Sequence, residues 1–266
     1  MSVKNLLAVA VIGATTAMVG CGSDDDNDGL DGGSNPTFRD GGIAFGTECS
    51  TIATHTGQEI VMEDGSYRPL CELSGTIEES ATLESENVYR LNGYVVIGGG
   101  AEEIEGGDGE TDAEAIQAVK DAGVTLTVEA GTHFRSSGKG SLIITRGSEI
   151  AANGTASAPI VMSSIDTGFS GTGEWGGLVL QGFAKNNQCG AASEAVICNT
   201  LDEADTGAHG GNDDADSSGT ISHLIVAEGG FEIRTDEEVN GITLHSVGYG
   251  TSLSNIMVYG NADDGI

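Results

Sequence analysis

Proline is nearly absent, with 3 residues in 266 against 43 glycines. That imbalance excludes collagen and proline-rich linkers. Positive charge is scarce as well: 10 Lys and Arg face 41 Asp and Glu, for a formal net charge of −31. Such a surface repels nucleic acid and anionic membranes, so nucleic acid is not expected as a partner. Aromatic residues make up 5% of the chain. Tyr89, Tyr94, Tyr249 and Tyr259 form no repeated ladder on which successive sugars could stack, and Trp175 is the one tryptophan. Beyond the N-terminus no apolar run is long enough to cross a membrane.

The N-terminus carries an address. Lys4 precedes an apolar run from Leu6 to Val19 that is too short to span a bilayer with its flanks. The run ends in Met18-Val19-Gly20-Cys21, which resembles the lipobox of bacterial lipoproteins. The resemblance implies that Cys21 becomes the first residue of the mature chain and carries the lipids, anchoring the protein to a membrane. Gly22, in place of an Asp, favours the outer membrane of the bacterial envelope. The stretch "GSDDDNDGLDGGSNP" cannot bury a core and reads as a flexible, self-repelling tether. The expected organisation is a signal peptide over 1–20, an acidic tether over 21–40 and an N-terminal cap region over 41–85. A parallel β-helix over 86–266 follows, with an acidic insertion at 184–219.

Cys49, Cys71, Cys189 and Cys198 remain once Cys21 is set aside. An even number in an exported chain points to disulfides, and their spacing resembles no zinc site. Three connectivities exist; the local pairs Cys49–Cys71 and Cys189–Cys198 are the chosen expectation because the others bridge distant segments.

Apolar residues come in short bursts rich in β-branched side chains and separated by Gly and Asn turns. The starts at Val124, Leu142, Ile160 and Leu178 fall 18 residues apart. A spacing of this order is the mark of a solenoid, and the burst composition makes it an all-β one, with each such step expected to be about one rung. Alternation within a burst places Leu142 and Ile144 inward and Ile143 outward or at a corner. One helix interrupts the pattern near residues 112–122. In "TDAEAIQAVKDAG", Thr111 and Glu114 have capping-box spacing, Ile116 and Val119 share a face, and Gly123 is the stop.

The succession "TLTVEAGTHF", "SLIITRGSEIAANGTASAPIVMSS", "EWGGLVLQGFA", "GGNDDADSSGTISHLIVAEGG" and "NGITLHSVGYGTSLSNIMVYGNADDGI" is similar to bacterial secreted and lipid-anchored proteins with pectate-lyase-like β-helices. The resemblance runs from about Leu83 to Ile266 and implies a right-handed parallel β-helix. Most members of that group have no assigned activity, so it implies fold more than function. The chain stops immediately after "NADDGI", where the family continues into another rung, and it is therefore expected to be part of a longer protein.

Two acidic clusters are the strongest local signals, Glu102–Glu114 and Leu201–Gly219. The second holds six carboxylates and no Lys or Arg. Calcium takes six to eight oxygen ligands, and Asn212, Asp213, Asp214 and Asp216 are the candidate set for Ca²⁺, the only cofactor suggested. A solvated acidic loop is the competing reading. Catalysis is weakly supported. Asp263–Gly265 and Ala208–Gly211 are similar to the paired Asp and Gly-His-Gly motifs of polygalacturonases, but in reversed order and without their Asn-Thr-Asp and Arg-Ile-Lys motifs. No catalytic residue is assigned. Trp175 is read as a packed aromatic in preference to a sugar platform. The expected function is a lipid-anchored envelope module for adhesion, carbohydrate binding or structural spacing, with carbohydrate or other envelope proteins as partners. The alternative is a polysaccharide lyase or glycoside hydrolase whose catalytic residues lie mainly beyond residue 266.

Overall fold

The computed structural model describes residues 38–40, 49–104, 112–166, 170–189, 198–201, 206–234 and 237–266. The expected signal peptide, Cys21, most of the tether and the Thr111 cap lie outside these residues.

At the N-terminal end, β1 (Phe38–Asp40) and β2 (Thr54–Val61) pair antiparallel, and β2 pairs antiparallel with β3 (Tyr67–Ile77). Cys49 and Cys71 form a disulfide with their Cα atoms 5.8 Å apart, tying this segment to β3 as expected. From β3 onward the stacking is parallel. Each rung visits three faces. The next rung runs through β4 (Ala81–Leu83) and β5 (Val88–Ile97), and β5 bends to serve two faces. After the helix α1 (Asp112–Asp121) come β6 (Thr125–Val128), β7 (His133–Ser136) and β8 (Ser141–Ile144). The rung after that is β9 (Glu149–Asn153), β10 (Ile160–Ser164) and β11 (Leu178–Gln181). A short hairpin, β12 (Thr200–Leu201) with β13 (Ala208–His209), precedes β14 (Gly219–Ala227). A second hairpin, β15 (Glu232–Arg234) with β16 (Glu237–Glu238), precedes β17 (Ile242–His245), and β18 (Ser252–Tyr259) follows.

The stacked registers show why these bursts are strands. On the first face Leu83, Val128, Ala152, Ile221 and Leu253 form one inward column. On the second, Cys71, Tyr89, Phe134, Met162, Val226 and Val258 do the same. On the third, Val95, Leu142, Leu178 and Ile242 stack beside Ile97, Ile144, Leu180 and Leu244. All but Leu244 belong to one apolar core or pack against it. Ile143 points outward, as alternation requires, but it is not solvated. With Val179 it forms a second apolar layer covered by Val239 and Ile233. Coverage on both sides explains why β8 and β11 are buried at every position.

The expected rung length is corrected by these registers. Bursts 18 residues apart fall on different faces: the one from Val124 on the first, Leu142 on the third, Ile160 on the second and Leu178 on the third. Two such steps, from Leu142 to Leu178, make one rung. The corner between the first and second faces needs no loop. In β14 and β18 the chain turns through His223 and Asn255, with φ of 50° and 53° in the left-handed region.

The helix lies against the solenoid through Ala115, Ile116 and Val119, which meet Ile104 and Phe183. Gly123 ends the segment at a close approach, because a Cβ there would sit 1.8 Å from the carbonyl oxygen of Gly147. No helix among the described residues is long and apolar enough to cross a membrane.

Candidate functional site

The third face carries a groove on its outer side. Its floor is β11 and β17, and one wall is the β12–β13 hairpin, held by Gln181. From the end of β11, Gln181 Nε2 donates to Thr206 Oγ1 and to the Gly207 carbonyl, both at 3.3 Å. The Gly210 amide donates to the Gly182 carbonyl at 2.9 Å. These bonds lay His209 over His245, whose rings stack at 4.5 Å between centroids and 14° between planes.

The resulting cavity has a volume of about 380 Å³. Amides from Asn186, Asn187, Gln188 and Asn240 line it, with the hydroxyls of Thr206, Thr243 and Ser246. His209, His245 and the Asp263 carboxylate complete the polar lining, and Val179, Val239, Leu201 and Leu244 supply apolar patches. No Lys or Arg is among the described residues that line it. His209 and Asp263, from the two motifs similar to polygalacturonase signatures, are thus brought to one groove.

Within the groove the polar groups are ordered. His209 Nδ1 lies 2.9 Å from Ser246 Oγ. Asn186 Nδ2 donates to the same hydroxyl at 2.9 Å and to Thr200 Oγ1 at 3.2 Å, while its Oδ1 accepts the Gln188 amide at 3.0 Å. Ser246 itself has a φ of 51°, a left-handed conformation uncommon for serine.

Behind the hairpin lies Arg146, completely buried yet cationic. Nε donates to the Gly100 carbonyl at 3.2 Å, and Nη2 to the Glu102 carbonyl at 2.8 Å. Nη1 donates to the Cys198 carbonyl at 3.3 Å, and to Asn199 Oδ1 and the Gly210 carbonyl at 3.1 Å each. Its guanidinium also stands 5.3 Å from the Phe183 ring centroid. Burial lowers its pKa to about 10, an effect that the charge of Glu103 opposes, so it stays protonated at neutral pH. One side chain therefore joins the segment after β5 to both ends of the hairpin wall. Nothing in the sequence around Arg146 signals this role, because every partner is remote.

The acidic insertion is tied down by ion pairs. Lys120, from α1, donates to Asp213 at 2.7 Å and pairs with Asp216 at 3.2 Å. Asp216 also accepts the Phe183 amide at 2.8 Å, and Lys185 pairs with Asp214 at 3.4 Å. Burial alone would lower the pKa of Lys120, but its bonds to Asp213 and Asp216 outweigh it and raise the value. The same contact holds Asp213 below the usual carboxylate range. The stretch from Leu201 to Gly219 contains no Lys or Arg, yet Lys120 from α1 and Lys185 from the start of the insertion reach it. Lys120 bridges Asp213 and Asp216. Among the described residues no group of three or more His, Cys, Asp and Glu side chains is placed to hold a metal ion. Of the candidate set, Asp213, Asp214 and Asp216 are each engaged by a lysine.

Trp175 is fully buried and donates from Nε1 to the Ala227 carbonyl at 2.7 Å, so it is a packed aromatic and no sugar platform. Cys198 is disulfide-bonded, and the side chain of Cys189 lies outside the described residues.

Comparison with known proteins gives a match to the pectate-lyase like beta helix domain over residues 113–266. No curated protein and no solved structure matches the chain.

Proposed function

Because the chain belongs to the family of the pectate-lyase-like β-helix domain, we propose that it is a carbohydrate-binding module whose site is the groove on the third face. The observation that carries this reading is the groove's lining. Amides, hydroxyls and imidazoles supply both donors and acceptors, the complement that sugar hydroxyls require, and apolar patches lie beside them. The ligand is a neutral glycan. A polyuronate would meet Asp263 and the field of a chain with a net charge of −31, without a cation among the described lining residues to receive it. The module works at the bacterial envelope, held through lipid on Cys21 by the acidic tether.

A glycan array that sets neutral polysaccharides against polygalacturonate tests the reading. Neutral glycans should bind without release of oligosaccharides. Asn240→Ala and His245→Ala should each weaken binding about fivefold, the worth of one net hydrogen bond of about 1 kcal/mol. Absence of binding to every glycan, or preference for the polyuronate, defeats the proposal. Release of oligosaccharides moves it to the enzyme alternative.

A further inference from the structure

The hydrogen-bond order inside the groove suggests chemistry beyond binding. Ser246 Oγ has one proton to donate and two acceptor positions. Asn186 Nδ2 fills one acceptor position at 2.9 Å, and His209 Nδ1, also at 2.9 Å, accepts the proton when the imidazole carries its hydrogen on Nε2. His209 is held by the stack on His245 and by the hairpin that Gln181 pins. Asn186 is fixed in turn by Thr200 and the Gln188 amide. A serine in the left-handed region, a base at contact distance and an amide donor on the same oxygen make an activated-nucleophile arrangement. Both Ser246 and His209 line the cavity, so a ligand in the groove reaches them.

We propose that Ser246 and His209 form a nucleophile–base pair that removes acyl esters from the glycan held in this groove. The proposal rests on the carbohydrate reading for its substrate class, an O-acylated neutral sugar. The proton of Ser246 passes to His209 Nδ1, in the tautomer that carries its hydrogen on Nε2. Ser246 Oγ bonds to the acyl carbon, and the Asn186 amide that donates to Ser246 Oγ in the free chain has to turn one N–H to the charge that develops on the acyl oxygen. The bond from the acyl carbon to the sugar oxygen then breaks, and that oxygen takes the proton from His209. This leaves a free sugar hydroxyl and an acyl-serine. Water, deprotonated by His209, adds to the acyl carbon; the bond from that carbon to Ser246 Oγ breaks, Ser246 Oγ takes the proton back from His209, and a carboxylic acid leaves.

The test treats the folded chain with a fluorophosphonate probe, maps the adduct by mass spectrometry, and measures hydrolysis of p-nitrophenyl acetate. The expected result is an adduct on Ser246 and hydrolysis above the uncatalysed rate. Ser246→Ala should return hydrolysis to that rate, and His209→Gln should lower it roughly hundredfold or more, the scale of general-base catalysis. Fluorescence of the buried Trp175 reports whether each variant is folded. Should a variant fail to fold, the mapped adduct on the unmodified chain decides by itself. An intact chain with no adduct, or an adduct elsewhere, overturns the proposal. Neutral glycan binding without an adduct overturns this chemistry alone and leaves the carbohydrate reading standing. An adduct on Ser246 without any glycan binding supports the nucleophile and removes the carbohydrate reading.

Discussion

Replacing Arg146 by Met keeps a side chain of comparable length at a fully buried position and removes every donor. Four carbonyl oxygens, from Gly100, Glu102, Cys198 and Gly210, and the amide oxygen of Asn199 lose a charged partner together. Asn199 keeps the bond it accepts from the Ile104 amide at 3.1 Å. Each buried acceptor left unsatisfied costs about 1–3 kcal/mol. If water reaches all but two of them, the loss is about 2–6 kcal/mol, a large share of the ~5–15 kcal/mol that stabilises a typical domain. Arg146→Lys retains the charge but presents three donors from a single point where the guanidinium presents five from a planar fork, so it should recover about half. Urea denaturation at pH 7, followed through the fluorescence of the single, buried Trp175, measures both variants. Because the lost bonds hold the hairpin that carries His209, glycan binding should fall in Arg146→Met even at temperatures where the core remains folded. A Met variant within about 0.5 kcal/mol of the parent would show that the hairpin is held by other means.

Other perturbations separate the remaining contacts. Burial, with Arg135 and Arg68 nearby and Asp64 opposing, lowers the pKa of His133 to about 4, below the ordinary value of 6.5. A depressed base favours its neutral form in the fold, so its contribution is complete above pH ~6.5 and fades as pH falls toward ~4, at up to about 1.4 kcal/mol per pH unit. His133→Gln should reduce the stability gap between pH 7 and pH 4.5, and an unchanged gap would exonerate His133. Reduction of Cys49–Cys71, or Cys71→Ala, should cost about 3 kcal/mol from a closed segment with a sequence separation of 22, read as a lower melting temperature. With Lys120 in place, millimolar calcium should leave the melting temperature unchanged, whereas Lys120→Met should create calcium sensitivity; a shift in the parent that vanishes in Asp213→Asn/Asp214→Asn/Asp216→Asn would restore the loop as a metal site. Cys21→Ser should abolish lipid labelling and membrane fractionation, and unaltered fractionation would rule out the anchor.

What the sequence determined alone is what depends on neighbours along the chain. Alternation within "SLII" set Leu142 and Ile144 against Ile143, and the registers keep that division. Helix signals around Ile116 and Val119 predicted α1, and the local spacing of Cys49 and Cys71 predicted their bond. The bursts announced a β-solenoid because each strand's pattern is local. Which burst stacks on which was not legible. Rungs here absorb insertions of different length, so Leu178 finds Leu142 directly but reaches Ile242 only across the acidic insertion and a second hairpin. The site depends entirely on that stacking. His209 meets Ser246 across 37 positions, Arg146 meets Gly210 across 64, and Lys120 meets Asp213 across 93. The charge of the acidic loop was countable from composition, but its partners were not, because Lys120 arrives from the helix and Lys185 from the segment after β11, 93 and 29 positions from the aspartates they meet. Sequence periodicity states which side of a strand is apolar; only the stacked rungs decide which polar outward residues share a groove.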